Sequence, residues 1–286
     1  MIQVTNLRYS YEKTHQRVID QISFSIEKGE ILGFLGPSGA GKTTTQRILI
    51  GLLKGYEGSV SIMGKERREW GKDFFEEIGV AFDFPNLYLK LTAFENLQLI
   101  GSYYQKKPKE SDIDALLTRV GLSDARNQKV EGFSKGMKMR LNFIRSLLHN
   151  PSLFFFDEPT SGLDPVNAKI VKDMIKELKE QGKTVFLTTH NMNVAEQLCD
   201  RVAFIVEGQI VAIDSPKELK VHHGMRRVKI EYYEGMKEKV VEFPMHSIKN
   251  NEELFQLLKT KEIKTIHSQE ATLEDIFIKL TGRELT

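Results

Sequence analysis

Ile31-Leu32-Gly33-Phe34-Leu35-Gly36-Pro37-Ser38-Gly39-Ala40-Gly41-Lys42-Thr43 begins as an apolar run and turns, without a spacer, into a glycine-rich loop closed by lysine and threonine. A short continuous apolar run is the pattern of a strand buried on both faces of a parallel sheet. Beyond the loop, Ile48, Leu49, Leu52 and Leu53 fall at helical spacing and predict a helix over 43–53. Gly36 to Thr43 matches G-x-x-x-x-G-K-[ST] at every fixed position, in the strand–loop–helix setting that gives the match its meaning. Glycines let backbone N–H groups turn inward around a phosphate, and the helix beginning near Lys42 aims its positive end at the same anion. The expected nucleotide contacts are therefore Gly36, Pro37, Ser38, Gly39, Ala40, Gly41, Lys42, Thr43 and Thr44. Lys42 is suited to reach the β- and γ-oxygens of ATP, and the Thr43 hydroxyl to ligate Mg²⁺.

Working outward, residues 2–26 are rich in alternating β-formers and end in the turn Glu27-Lys28-Gly29-Glu30. Short β-like runs follow at 59–63 and 78–82. Residues 84–150 are mainly helical, with helices predicted over 93–104, 112–120 and 134–149. Alternation then resumes: a strand at 153–156, a helix over 166–180, a strand at 184–187, a helix over 193–199, and a strand pair at 202–206 and 209–213. A βα core interrupted by one helical insertion is an α/β fold with a helical subdomain. Ser215-Pro216 marks the edge of the main domain. The remainder reads as strands at 227–233 and 239–243, a helix over 251–259, a strand at 263–267 and a helix over 273–280, a small α+β module.

Composition narrows the function classes. Lys and Arg number 41 against 39 Asp and Glu, a formal charge of +2, so no basic field announces a nucleic-acid partner, and none is expected. Cys199 is the single cysteine, which rules out an internal disulfide and suits a reducing compartment. Met1-Ile2-Gln3-Val4-Thr5-Asn6 lacks the basic start and apolar run of a secretory signal. The longest apolar runs fall far short of the roughly 20 residues that span a bilayer.

Many proteins share the phosphate loop, so the rest of the chain must choose among them. Leu153-Phe154-Phe155-Phe156-Asp157-Glu158-Pro159 is an apolar strand ending in two carboxylates. Beside a phosphate loop, Asp157 is suited to hold Mg²⁺ through water and Glu158 to polarise the water that attacks the γ-phosphate. Asp164-Pro165 also suits a helix N-cap with proline at the first helical position. Ser134 stands where a serine caps a helix whose free N–H groups suit a phosphate.

In order along residues 1 to about 215, these segments resemble the motifs of the ABC (ATP-binding cassette) ATPases. Ser161-Gly162-Leu163-Asp164 resembles the family's D-loop, which lines the interface between two cassettes. Phe133-Ser134-Lys135-Gly136-Met137 resembles its signature, with Lys135 in place of the first glycine and Met137 in place of the usual glutamine. In the family the signature serves the nucleotide of the partner cassette. His190, after Thr188-Thr189, matches the switch histidine that contacts the γ-phosphate and helps position Glu158. Tyr11 is at the adenine-stacking position, with Tyr9 a neighbouring rival. Asp83 departs from the pattern: it ends Ile78-Gly79-Val80-Ala81-Phe82-Asp83, where glutamine is usual, and could still act on Mg²⁺ through water.

The resemblance implies a P-loop NTPase (RecA-like) core with an antiparallel β-subdomain and a helical subdomain at about 84–150, in a nucleotide-binding domain over 1–220. The module at 221–286 would be an accessory or dimerisation unit. ATP hydrolysis, with Lys42, Glu158 and His190 catalytic, would power a separate integral membrane permease. The chain would act as a homodimer or beside a paired cassette, peripherally at the cytoplasmic face of the membrane and without touching the cargo. Coupling would pass through the surface around 84–99. Ala271 to Gly282 resembles the ending of daunorubicin-resistance-like exporter ATPases, which favours export of a drug, peptide, lipid or ion. A soluble ABC ATPase acting on the ribosome or on DNA is the alternative, and a regulator without turnover a third reading.

Overall fold

The computed structural model describes residues 1–11, 17–224 and 226–283, and two compact units divide between Ile213 and Asp214. In the first unit, β1 (Ile2–Ser10) and β2 (Arg17–Ile26) precede β3 (Ile31–Leu35) and α1 (Lys42–Ile50). Next come β4 (Glu57–Ile62), β5 (Lys65–Glu66), α2 (Phe74–Glu77), β6 (Ile78–Ala81), α3 (Ala93–Gly101), α4 (Glu110–Arg119) and α5 (Lys135–Arg145). The unit closes with β7 (Leu153–Asp157), α6 (Pro165–Glu180), β8 (Thr184–Thr189), α7 (Met192–Leu198), β9 (Arg201–Val206) and β10 (Gln209–Asp214).

Two sheets share the apolar material. β3 is buried along its whole length, as its unbroken apolar run predicts. It lies at the centre of the order β10-β9-β3-β8-β7-β6, parallel to β8 and β9. A second sheet, β2-β1-β4-β5, is antiparallel. Phe34 on β3 packs 4.9 Å from Phe24 of that outer sheet and 5.1 Å from Phe186 of β8, ring centroid to centroid. On β7, Phe156 meets Phe143 of α5 at 5.2 Å. Aromatic side chains thus fill both faces of the β7–β8–β3 region, the part of the sheet whose C-terminal ends carry the acidic pair.

Local chemistry sets the helix ends. Thr92 and Glu95 form a reciprocal capping box on α3. Ser134 caps α5 by accepting from Met137 N, and Asp164 caps α6 by accepting from Val166 N and Asn167 N, with Pro165 following. α1 stops at Ile50 rather than running to 53. Gly51, at φ +86, turns its N–H back to the carbonyls of Arg47 and Ile48. The buried Arg67 side chain, in a short 3₁₀ turn that the sequence did not predict, donates to the free carbonyls of Leu49 and Ile50. A Cβ at Gly51 would fall 1.9 Å from the Arg67 guanidinium.

In the second unit, α8 (Pro216–His223) precedes β11 (Arg227–Glu234) and β12 (Lys237–Pro244), then α9 (Glu252–Thr260), β13 (Glu262–Gln269) and α10 (Leu273–Thr281). The antiparallel sheet β12-β11-β13 closes over Val228, Ile230, Phe243 and Leu254. The unit begins at Asp214 rather than at 221, because α8, which the sequence did not predict, packs on α10. Among the described residues no helix is long and apolar enough to cross a membrane.

Candidate functional site

The loop between β3 and α1 is built around close approach. A Cβ on Gly36 would lie 2.1 Å from the carbonyl oxygen of Ile205 on β9, and Gly41 adopts φ +109. Both positions therefore demand glycine. Lys42 Nζ donates to the carbonyls of Gly36 and Pro37, which holds the ammonium over the loop. Burial lowers its pKa, and the charges of Glu158 and Asp157 oppose that shift.

Beside the loop a cavity of about 1160 Å³ is lined by Tyr11, Ser38 to Thr44, Asp83, Asp157, Glu158, Ser161 and His190, with the loop residues Phe84 to Leu87 and Leu89 on another wall. It brings together residues from widely separated parts of the sequence. Tyr11 reaches Thr44, oxygen to oxygen, at 3.3 Å, and Tyr9 packs edge-on behind it at 5.1 Å. Of the signature segment, Lys135 lines the cavity, as does Lys138 one turn further on. Gly136 faces the D-loop segment: a Cβ there would meet Leu163 at 3.6 Å and the carbonyl of Gly162 at 3.8 Å.

The two acidic residues are held differently. Asp157 is only 3% exposed; its Oδ2 accepts from the Thr43 hydroxyl at 3.2 Å and its Oδ1 from Thr188. Burial raises its pKa, with Thr188 and Thr43 opposing and the nearby Asp83 charge reinforcing the rise. Hydroxyl and carboxylate oxygens facing one cavity form a donor set that fits a hard divalent cation whose remaining ligands are phosphate and water. Glu158 has φ +49, a left-handed conformation that costs a non-glycine residue about 1–3 kcal/mol and is concentrated at functional sites. Its N–H is bound to Thr188 O at 2.9 Å. Its carboxylate accepts from the Thr189 hydroxyl at 3.0 Å and from His190 N at 2.8 Å, and faces His190 Nδ1 at 2.6 Å. A base with three fixed neighbours can present its carboxylate in one orientation.

Sequence reasoning named His190 but not Thr188 or Thr189, whose hydroxyls each hold one carboxylate. The parallel register that sets Asp157 opposite Thr188 is what enlists them. It also missed the anchoring of the Asp83 loop: Asn142 of α5 donates to Phe82 O at 2.9 Å, and Arg145 donates to Asn86 O and Asn142 Oδ1.

A glycine loop opening a helix at the end of a central parallel strand, with an acidic pair at the end of β7, separated from it by β8, defines a P-loop NTPase. A profile of the ABC transporter family matches residues 19–161, and one for the C-terminal domain of fluoroquinolone efflux ABC transporters matches 226–270. A fluoroquinolones export ATP-binding protein of Mycobacterium tuberculosis is 48% identical over 100% of this chain and 95% of its own length. A lantibiotic transport ATP-binding protein of Streptococcus pyogenes is 36% identical over 74% of this chain and 89% of its own. Among solved structures, a dimeric ATP-binding cassette in a post-hydrolysis state with ADP and Pi superimposes with a TM-score of 0.70 at 28% identity, covering 75% of this chain and 98% of that one. The chain belongs to the ABC transporter family, as an ATP-binding subunit with ATPase function.

Proposed function

We propose that this chain powers a drug exporter whose cargo is of the fluoroquinolone class, working at the cytoplasmic face of the membrane on a separate integral membrane permease. The observation that carries this reading is similarity to a fluoroquinolones export subunit along the whole chain, including the C-terminal unit. The relatives named as export or transport subunits weigh against the soluble alternative on ribosome or DNA.

In this account Tyr11 stacks on adenine, the 36–44 loop wraps the phosphates, and Lys42 draws charge from the β- and γ-oxygens. Mg²⁺, when bound, neutralises phosphate charge and orients the γ-phosphoryl group. Thr43 and Asp157 would hold it, with Asp83 acting through water. Glu158 takes the proton from the attacking water while Thr189 and His190 hold its carboxylate in place. Two cassettes close on ATP, each presenting Ser134, Lys135, Gly136 and Met137 to the other's γ-phosphate, with Ser161, Gly162, Leu163 and Asp164 along their shared boundary. Phe84, Tyr88 and Leu89, all strongly exposed, are suited to meet the permease, and their loop is tied to the signature helix through Asn142 and Arg145.

Fluoroquinolone accumulation in cells tests the cargo. Cells lacking the chain should retain more drug than the parent, and the wild-type chain but not Glu158→Gln should restore efflux. Equal retention in all four strains would refute it.

A further inference from the structure

Thr188 and Gln46 are both fully buried and stand behind Asp157. The Thr188 hydroxyl donates to Asp157 Oδ1 and also lies 3.5 Å from Gln46 Oε1. A hydroxyl has one proton, and a carboxylate takes it in preference to a neutral amide oxygen. With the amide oxygen turned toward Thr188, Gln46 Oε1 and Thr188 Oγ1 would face each other with no proton between them. The Gln46 amide nitrogen, meanwhile, meets no acceptor among the described residues. Exchanging the amide's oxygen and nitrogen, which have the same shape, removes the conflict. Nε2 then donates to Thr188 Oγ1, and the Thr188 proton is committed to Asp157.

We infer that Gln46 and Thr188 are positioning residues that fix the Asp157 carboxylate for its metal. The hydrogen bonds close a ring. Gln46 on α1 holds Thr188 on β8, Thr188 holds Oδ1 of Asp157 on β7, and Oδ2 accepts from Thr43, back on α1. Thr43 and Gln46 are three residues apart on one helix and share a face. Both metal-side groups are thereby referred to the same rigid element. An apolar side chain at 46 would be cheaper to bury, and the relay gives the amide a reason to be there. Partners that orient a metal-holding carboxylate set metal affinity. The inference rests on the proposed role of Asp157.

The test is binding of a fluorescent ATP analogue to the full chain, in EDTA and across a Mg²⁺ titration. Thr188→Val and Gln46→Leu should each shift the Mg²⁺ dependence to about tenfold higher concentration, with binding in EDTA unchanged. Thr188→Ser should restore wild-type behaviour, because the relay needs the hydroxyl and not the methyl group. Adding Gln46→Leu to Thr188→Val should produce no further shift. An unshifted Mg²⁺ dependence in either single variant would overturn the inference, as would an equal loss of binding in EDTA, the mark of a merely structural role. If Thr188→Val does not fold, Gln46→Leu and Thr188→Ser decide on the same criteria. Asp157→Asn separates the two levels: if it too leaves the Mg²⁺ dependence unmoved, the metal role of Asp157 fails. If it alone shifts the dependence, only the relay fails.

Discussion

Replacing Glu158 by glutamine removes a base and little else. The carboxylate's Oε1 takes two contacts from His190 and its Oε2 one from Thr189. The amide oxygen of glutamine can keep the His190 pair. Its NH₂ would then face the Thr189 oxygen, which already accepts from Asn191 N at 3.0 Å. The structural loss is about one neutral hydrogen bond, some 1 kcal/mol. Lys42, which feels the Glu158 charge, becomes a slightly better site for an anion, so ATP affinity should hold or rise. Turnover should not survive, because the amide cannot accept the proton of the attacking water. Loss of a positioned general base costs roughly 10²- to 10⁴-fold, or about 2.7–5.4 kcal/mol of barrier. Steady-state phosphate release, with nucleotide affinity measured in parallel, separates the two effects. Turnover within about threefold of wild type, against a base contribution of that size, would refute the reasoning.

Three further outcomes follow from the same geometry. Gly36→Ala should lower the melting temperature and weaken ATP binding, because its Cβ would meet the Ile205 carbonyl at 2.1 Å; unchanged melting would contradict the packing. Burial lowers the pKa of His149, against the opposing pull of its hydrogen bond to Ile78 O and the charges of Glu76 and Glu77. The unfolded chain therefore takes up this proton first as pH falls through 6.5, and the native state loses stability from there downward. Melting measured between neutral and mildly acidic pH should drop less in His149→Gln than in the wild type; parallel curves would exclude this contribution. Burial pushes the Cys199 thiol up, so the native chain should resist iodoacetamide and take up one equivalent only when unfolded. Rapid native labelling would show the site to be open.

What could be read in the sequence was what is local. The phosphate loop, the acidic pair after an apolar strand, and the caps at Ser134 and Asp164 each depend on neighbours a few residues away. Thr188 and Thr189 look like ordinary strand residues until β7 and β8 pair in register. Gln46 stands on a helix whose linear pattern does not mark it as buried. Nothing in the linear pattern marks Arg67, whose guanidinium closes the C-terminal end of α1 and lets Gly51 stop that helix early. The segment from Lys65 to Glu77 carries β5, a 3₁₀ turn and α2, elements too short to leave a periodicity. Tyr9 and Tyr11 stand two residues apart in the sequence, and Tyr11 lines the cavity.

The central claim is that this ATPase drives a permease, and affinity purification of the chain from its native membranes in gentle detergent tests it most directly. The account predicts a stoichiometric multi-span membrane protein in the eluate. Ribosomal or DNA-bound partners with no membrane protein would contradict it.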